Sequence, residues 1–187
     1  MIDHIIQFDK HLFHFINHDM GNVFFDWLMP ILRNAKSWIP LYIIIIGLCL
    51  WKYKKQGIVI IIGIALSAGI ADFTSAHFVK PEVHRLRPCN DPTMTDVQLR
   101  IDHCGTGYSF PSTHATDHFA MGIFLCFVLY KRWRWIWLWA ILWAGSISFA
   151  QVYVGVHFPV DVFVGMLYGS LVGWLISLLF KKLQPDF

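Results

Sequence analysis

Charge is what this sequence has least of: Asp, Glu, Lys and Arg make up 14% of its 187 residues, against 56% hydrophobic ones. Ordinary soluble domains carry a charged share of about 25%. A chain this poor in charge cannot clothe a water-exposed surface, so an integral membrane protein is expected. Internal repeats and low-complexity segments are also missing, which excludes solenoid and linker-like architectures. The N-terminus lacks a basic region followed by a compact apolar stretch, because Asp3, His4, Asp9 and Lys10 interrupt it; no cleaved signal peptide is expected. Net charge is only +3 and resides in membrane-flanking basic clusters, so no nucleic-acid partner is expected. Cysteines number four. Cys49 and Cys126 sit in apolar runs and read as small apolar residues. Cys89 and Cys104 fall in a polar stretch, where an oxidising compartment lets them pair and contribute about 3 kcal/mol through loop closure. Zinc on Cys89, His103 and Cys104 is the rival, but no paired Cys-x2-Cys or His-x3-His spacing supports it there, so the disulfide is the expectation.

What is present is a series of apolar runs: 38–51, 57–79, 115–130, 135–154 and 158–180. Most approach the ~20 residues that a helix needs to cross the hydrocarbon core. The first is short, and extension through Pro40 or tilt lengthens its reach. Trp133, Trp135, Trp137 and Trp139 alternate as in a strand, yet a lone strand would leave its backbone unpaired in lipid, so this run too is helical. Residues 1–20 place Ile2, Ile5, Ile6, Phe13 and Ile16 at helical spacing, which predicts an amphipathic helix on the membrane surface. His4, His11, His14 and His18 then form its wet face rather than a metal stripe. Residues 22–32 continue into a first span, kinked near Pro30. The fold class that follows is all-α, an integral membrane helical bundle, in one membrane-embedded domain over 1–187. Six transmembrane helices put both termini on one side and five leave the N-terminus on the other; six is adopted here.

Basic residues gather at Lys52, Lys54 and Lys55, at Lys131, Arg132 and Arg134, and at Lys181 and Lys182. Alternating spans place all three clusters on one side, which the positive-inside rule makes cytoplasmic. The connection 80–111 and the turn around 155–159 then share the opposite, extracytoplasmic face of a bacterial-type cytoplasmic membrane. The connection is twice the length at which structureless loops become uncommon, which favours a functional segment. Its front end carries Lys80, Arg85 and Arg87 against Glu82 alone, a candidate anion clamp.

Pro111-Ser112-Thr113-His114 immediately precedes an apolar run, so Ser112 is positioned as an N-cap and His114 lies in the first helical turn. Free N–H groups and the helix dipole at such an end suit phosphate. His157 and Asp161 are four apart across Pro159, on one face of the next helix, where the carboxylate can fix the imidazole tautomer. Asp72, His77 and Asp117 are ionisable groups within apolar runs; a structural partner inside the bundle is expected for Asp72.

At these residues the sequence resembles the type 2 phosphatidic acid phosphatase superfamily, whose site is similar to that of vanadium haloperoxidases. Lys-x6-Arg-Pro is matched by Lys80, Arg87 and Pro88. Pro-Ser-Gly-His is matched by Pro111, Ser112 and His114, with Thr113 in the glycine's place. Ser-Arg-x5-His-x3-Asp is matched by His157 and Asp161, whereas Ala150 and Gln151 replace the serine and arginine. The resemblance implies a metal-free, cofactor-free lipid phosphatase or diphosphatase. By it, His157 attacks phosphorus to form a phosphohistidine, Asp161 orients it, and His114 acts as acid and then base. Lys80, Arg87, Ser112 and the backbone at Thr113 bind phosphate oxygens. The implied substrates are polyprenyl diphosphate, phosphatidylglycerol phosphate, phosphatidic acid or a phosphorylated glycolipid. Gln151 cannot supply a guanidinium; Arg85, His84 and Arg100 are the candidates to compensate. Two other classes stay open: a weakly or non-catalytic lipid-phosphate binder, from the missing arginine, and a metalloenzyme built on His114 and His118.

Overall fold

The computed structural model describes residues 2–187; the first residue of the expected 1–20 helix and the Ile2 side chain lie outside the described residues. The fold is all-helical among those residues: α1 (Ile2–His14), α2 (Val23–Arg33), α3 (Ile39–Thr74), the single turn α4 (Lys80–Val83), α5 (Thr113–Leu129), α6 (Ile136–Tyr153) and α7 (Pro159–Leu183). A π-helical turn over Phe15–Asp19 follows α1, and another over Ser75–Val79 joins α3 to α4.

α3 is two antiparallel limbs. Lys54 takes a positive φ of 51°, and the chain doubles back there. The reversal is tight enough that a Cβ on Gly57 would strike the Cys49 carbonyl. Among the described residues, five passes therefore connect the two ends of the bundle: the limbs of α3, then α5, α6 and α7. α2 has only eleven residues, about 16 Å at 1.5 Å per residue, and does not reach across a core of about 30 Å. It lies instead against the C-terminal end of α6, with Met29 packed on Ala150, Tyr153, Val154 and Val156. The sixth crossing expected of residues 22–32 is thus replaced by a short helix capped by Asn22, whose Oδ1 accepts from Phe25 N–H.

Apolar side chains cover the outside of the passes: Ile43, Ile58, Ile62, Leu142, Leu167 and Leu171 are all exposed. Water would not tolerate so continuous an apolar surface, and hydrocarbon does. α1 also turns Ile5, Ile6 and Phe8 outward, while its Asp9 and Phe13 are buried against the bundle. Phe13 therefore docks on Phe158, with ring centroids 5.4 Å apart, and does not join the membrane-facing stripe expected of it.

The deepest helix pair is α5 with α7. Gly165, Gly169 and Gly173 recur every four residues along α7, and the backbone of α5 lies directly on them. A Cβ at Gly165 would come within 2.8 Å of the Ser112 carbonyl, and Cβ atoms at Gly169 and Gly173 would overlap the carbonyls of Thr116 and Ala120. Small residues repeated at this spacing let two membrane helices approach at backbone distance.

Gly69 has open space around its missing Cβ. Gly69→Ala is therefore expected to leave the melting temperature in detergent unchanged or slightly raised, since alanine is about 1 kcal/mol better in a helix. Gly169→Ala should lower it, and Gly169→Val should abolish the folded fraction; equal behaviour of the two sites in a thermal-shift assay would refute this packing.

Candidate active site

α5 and α7 meet with their N-termini at the same end, and Ser112 N–H donates to the Asp161 carbonyl at 2.9 Å. This joins two of the three sequence clusters. Ser112 is the residue before α5, as expected, but its hydroxyl does not cap the helix. The Oγ atom is instead buried without a partner. A serine that leaves its capping site unused keeps both the hydroxyl and the first-turn N–H groups of α5 available to an anion.

His157 lies between α6 and α7 and is 2% exposed, and Asp161 is fully buried. Their direct approach is 3.7 Å, Nδ1 to Oδ2, too long for a hydrogen bond. Ser109 closes the gap. Its hydroxyl donates to Asp161 Oδ2 and stands 3.2 Å from His157 Nδ1, where it can accept the ring N–H. The tautomer this fixes carries the proton on Nδ1 and leaves a lone pair on Nε2. That nitrogen faces Arg87, whose NH1 donates to it at 3.1 Å.

Asp161 is saturated by its neighbours. Besides Ser109 it accepts from the Phe158 N–H at 2.9 Å and from Arg85 NH1 at 2.7 Å. Arg85 donates its other end to Asp9 at 2.5 Å, and Asp9 also accepts from the Val160 N–H at 2.8 Å. The guanidinium lies 4.1 Å from the centre of the Phe158 ring. Arg85 is therefore a strut between α1 and α7, not a free phosphate ligand as the sequence suggested. Arg100 is equally committed, to Asp26 at 2.5 Å and the Asn17 carbonyl at 2.6 Å, and His84 is exposed beside Tyr108.

Arg87 contributes NH1 to the Val156 carbonyl at 3.3 Å and keeps a buried Nε without a partner. Lys80 reaches in from α4 and donates to the carbonyls of Tyr108 and Pro111, at 3.0 and 2.9 Å. The 80–111 connection that carries these groups is pinned on both sides. Cys89 and Cys104 form the expected disulfide, with Cα atoms 6.0 Å apart. Asn17 donates to the Gln98 and Tyr153 carbonyls at 2.9 and 2.8 Å, tying the loop to the π-helical turn after α1 and to the end of α6.

His114 stands one turn above His118, but the two do not form a metal pair. His118 donates from Nδ1 to the His114 carbonyl at 2.7 Å and accepts at Nε2 from the Tyr42 hydroxyl at 3.1 Å, so both its nitrogens are used. Asp72 is exposed and, among the described residues, makes no side-chain hydrogen bond, contrary to the bundle partner expected for it. His14, His18 and Asp19 bring three ligand-type atoms within 4.8 Å of one another, at the surface of the π-helical turn.

The family model that matches residues 56–185 is the PAP2 superfamily. The chain belongs to that family. A lipid A 4'-phosphatase of Bacteroides thetaiotaomicron is 33% identical over 186 residues, covering 98% of this chain and 81% of that protein. An undecaprenyl-diphosphatase of Sulfolobus acidocaldarius is 26% identical over 91% of this chain and 77% of its own. Among solved structures, Aquifex aeolicus LpxE superposes with a TM-score of 0.65 at 29% identity, covering 90% of this chain and 93% of that one. The transmembrane PAP2 type phosphatidylglycerolphosphate phosphatase of Bacillus subtilis shares the fold, with a TM-score of 0.71 at 18% identity and coverage of 95% and 87%.

Within the PAP2 fold, the structure brings together Lys80, Arg87, Ser112, Thr113, His114, His157 and Asp161. Gln151 joins them from α6, fully buried, with Nε2 unpartnered. Three participants were not visible in the motifs. Ser109 and Asp9 carry no spacing signal toward His157, and Arg33, at the end of α2, donates from Nε to Gln151 Oε1 at 3.4 Å. For Asp9 the one available hint was an acid interrupting an apolar stripe.

Burial pushes the His157 imidazole down from 6.5 to about 4, with the Arg87 charge adding to the effect and Asp161 opposing it. The depressed value means that the unfolded chain binds the proton first: stability is full above about pH 6.5 and declines as pH falls toward 4. Histidine 15N NMR of the protein in detergent should find the His157 ring neutral at pH 5.5, with the proton on Nδ1. An imidazolium at that pH would contradict the geometry.

Proposed function

We propose that the chain is a membrane lipid phosphatase that hydrolyses the phosphate monoester of a phosphorylated glycolipid of the lipid A class through a phosphohistidine at His157. The observation that carries the reading is the buried His157, held at Nδ1 by Ser109 and Asp161 with Nε2 directed at a cationic, partly unpartnered cradle. Two lipid A 4'-phosphatases, at 33% and 26% identity over 98% and 94% of the chain, favour the glycolipid over the other lipid phosphates.

The chemistry follows from the positions. His157 Nε2 attacks phosphorus as the bond to the lipid oxygen breaks, and His114 gives its proton to the departing oxygen. The cation that forms on His157 is offset by Asp161 through Ser109. Water then attacks the phosphohistidine, passing a proton back to His114, and the P–N bond breaks to release inorganic phosphate. Arg87, Lys80, Ser112 and the N–H groups at Thr113 and His114 neutralise the equatorial oxygens, the main task in phosphoryl transfer. Arg87 must give up Nε2 when the phosphate arrives, exchanging a nitrogen acceptor for a charged oxygen. Protein groups fill every role, so the reading needs no metal or cofactor.

Orientation and extent belong to the same reading. Lys52, Lys131, Arg134 and Lys181 lie at the end opposite His157, and the Cys89–Cys104 disulfide lies at the His157 end. Positive-inside placement and an oxidising outer compartment together put the site on the periplasmic face of a bacterial cytoplasmic membrane. Residues 1–187 act as one domain, with α1 and the π-helical turn after it structural parts of it through Asp9 and Asn17.

Purified protein in detergent should release phosphate from lipid A faster than from undecaprenyl diphosphate or phosphatidylglycerol phosphate. His157→Ala should reduce release by about a thousandfold or more, to background. A preference for undecaprenyl diphosphate would overturn the substrate assignment alone, whereas equal background from wild type and His157→Ala on every lipid would overturn the enzyme.

A further inference from the structure

We infer that Arg33, the last residue of α2, supplies the phosphate-binding guanidinium that the third motif lacks in this chain, with Gln151 as its tether; this rests on the phosphatase reading above. Gln151 occupies the position where the motif carries arginine, is fully buried, and has one amide end in use. Its Oε1 accepts from Arg33 Nε at 3.4 Å, and its Nε2 has no partner. The remaining NH1 and NH2 groups of Arg33 have no protein acceptor among the described residues, and no carboxylate pairs with them. Arg33 is half-buried, and its charge acts on both His114 and Arg87.

A half-buried arginine without a counter-charge is costly unless a ligand completes it. Asp161, the carboxylate that serves His157, already has Arg85 as its ion-pair partner. Arg33 thus joins Arg87, Lys80, Gln151 Nε2 and Ser112 Oγ as a donor without a carboxylate partner of its own. A phosphate dianion answers all of these groups at once. The exchange is one of chain position: the guanidinium enters from α2 rather than from α6, and glutamine keeps the old site polar and holds the new donor in place.

The test compares Arg33→Ala, Arg33→Lys and the double variant Arg33→Ala/Gln151→Arg for kcat/KM on lipid A, for orthovanadate affinity and for melting temperature. Arg33→Ala should lose about ten- to a hundredfold in kcat/KM and weaken vanadate by a similar factor, the worth of one charge-assisted contact. Arg33→Lys should fall between, and restoring arginine at position 151 should recover at least about tenfold of the loss. Arg33→Ala within twofold of wild type in both readouts overturns the inference, as does a folded double variant with no recovery. If Arg33→Ala fails to fold, the lysine variant decides by the same criteria. Where wild type shows no His157-dependent turnover the phosphatase reading fails, and vanadate affinity still decides whether Arg33 binds the anion.

Discussion

Backbone contact between α5 and α7 is the constraint on which the site depends. Three glycines at four-residue spacing remove the side chains that would hold these helices apart, and the α5 carbonyls of Thr116 and Ala120 occupy the space. The N-terminus of α5 therefore sits beside that of α7, with Ser112 N–H bonded to the Asp161 carbonyl. The first-turn N–H groups of α5 stay free at this junction, whereas those of Phe158 and Val160 at the start of α7 are taken by Asp161 and Asp9. A separation larger by one methyl group at each contact would part Ser112 and His114 from His157.

Around that junction the charges are divided in two. One set is closed: Asp9, Arg85, Asp161 and Ser109 satisfy one another and hold His157 at Nδ1. The other is open: Arg87 Nε, Ser112 Oγ and Gln151 Nε2 are buried without partners. Buried polar groups are rarely left unpaired in folded proteins, and a cluster of such atoms around one nucleophilic nitrogen marks where a ligand completes the network. The closed set fixes orientation before any substrate arrives, so little reorganisation accompanies the chemical step.

The motifs were legible because each lies at the end of an apolar run and spacing within a helix fixes the face: His157 and Asp161, or Ser112 and His114, need only local geometry to be paired. The disulfide was legible from its isolation in the polar loop. What escaped was contact made by chain folding over long separations. Ser109 meets His157 across 48 residues, Asp9 meets Arg85 across 76, and Arg33 meets Gln151 across 118. Arg85 looked free because sequence cannot show two carboxylates converging on it. Residues 22–32 were expected to cross because they are apolar enough to insert, and only their packing against α6 reveals a short helix at one end of the bundle. Asp72 was assigned a partner on the general cost of buried charge, and the structure instead leaves it exposed on the second limb of α3.

The central claim is that His157 Nε2 and the open set of donors share one phosphate. A structure of the protein with orthovanadate tests it most directly. The account predicts vanadium bonded to His157 Nε2, with its oxygens on Arg87, Ser112 Oγ and the first N–H groups of α5. Vanadate bound away from His157, or held by His14, His18 and Asp19 instead, would contradict it.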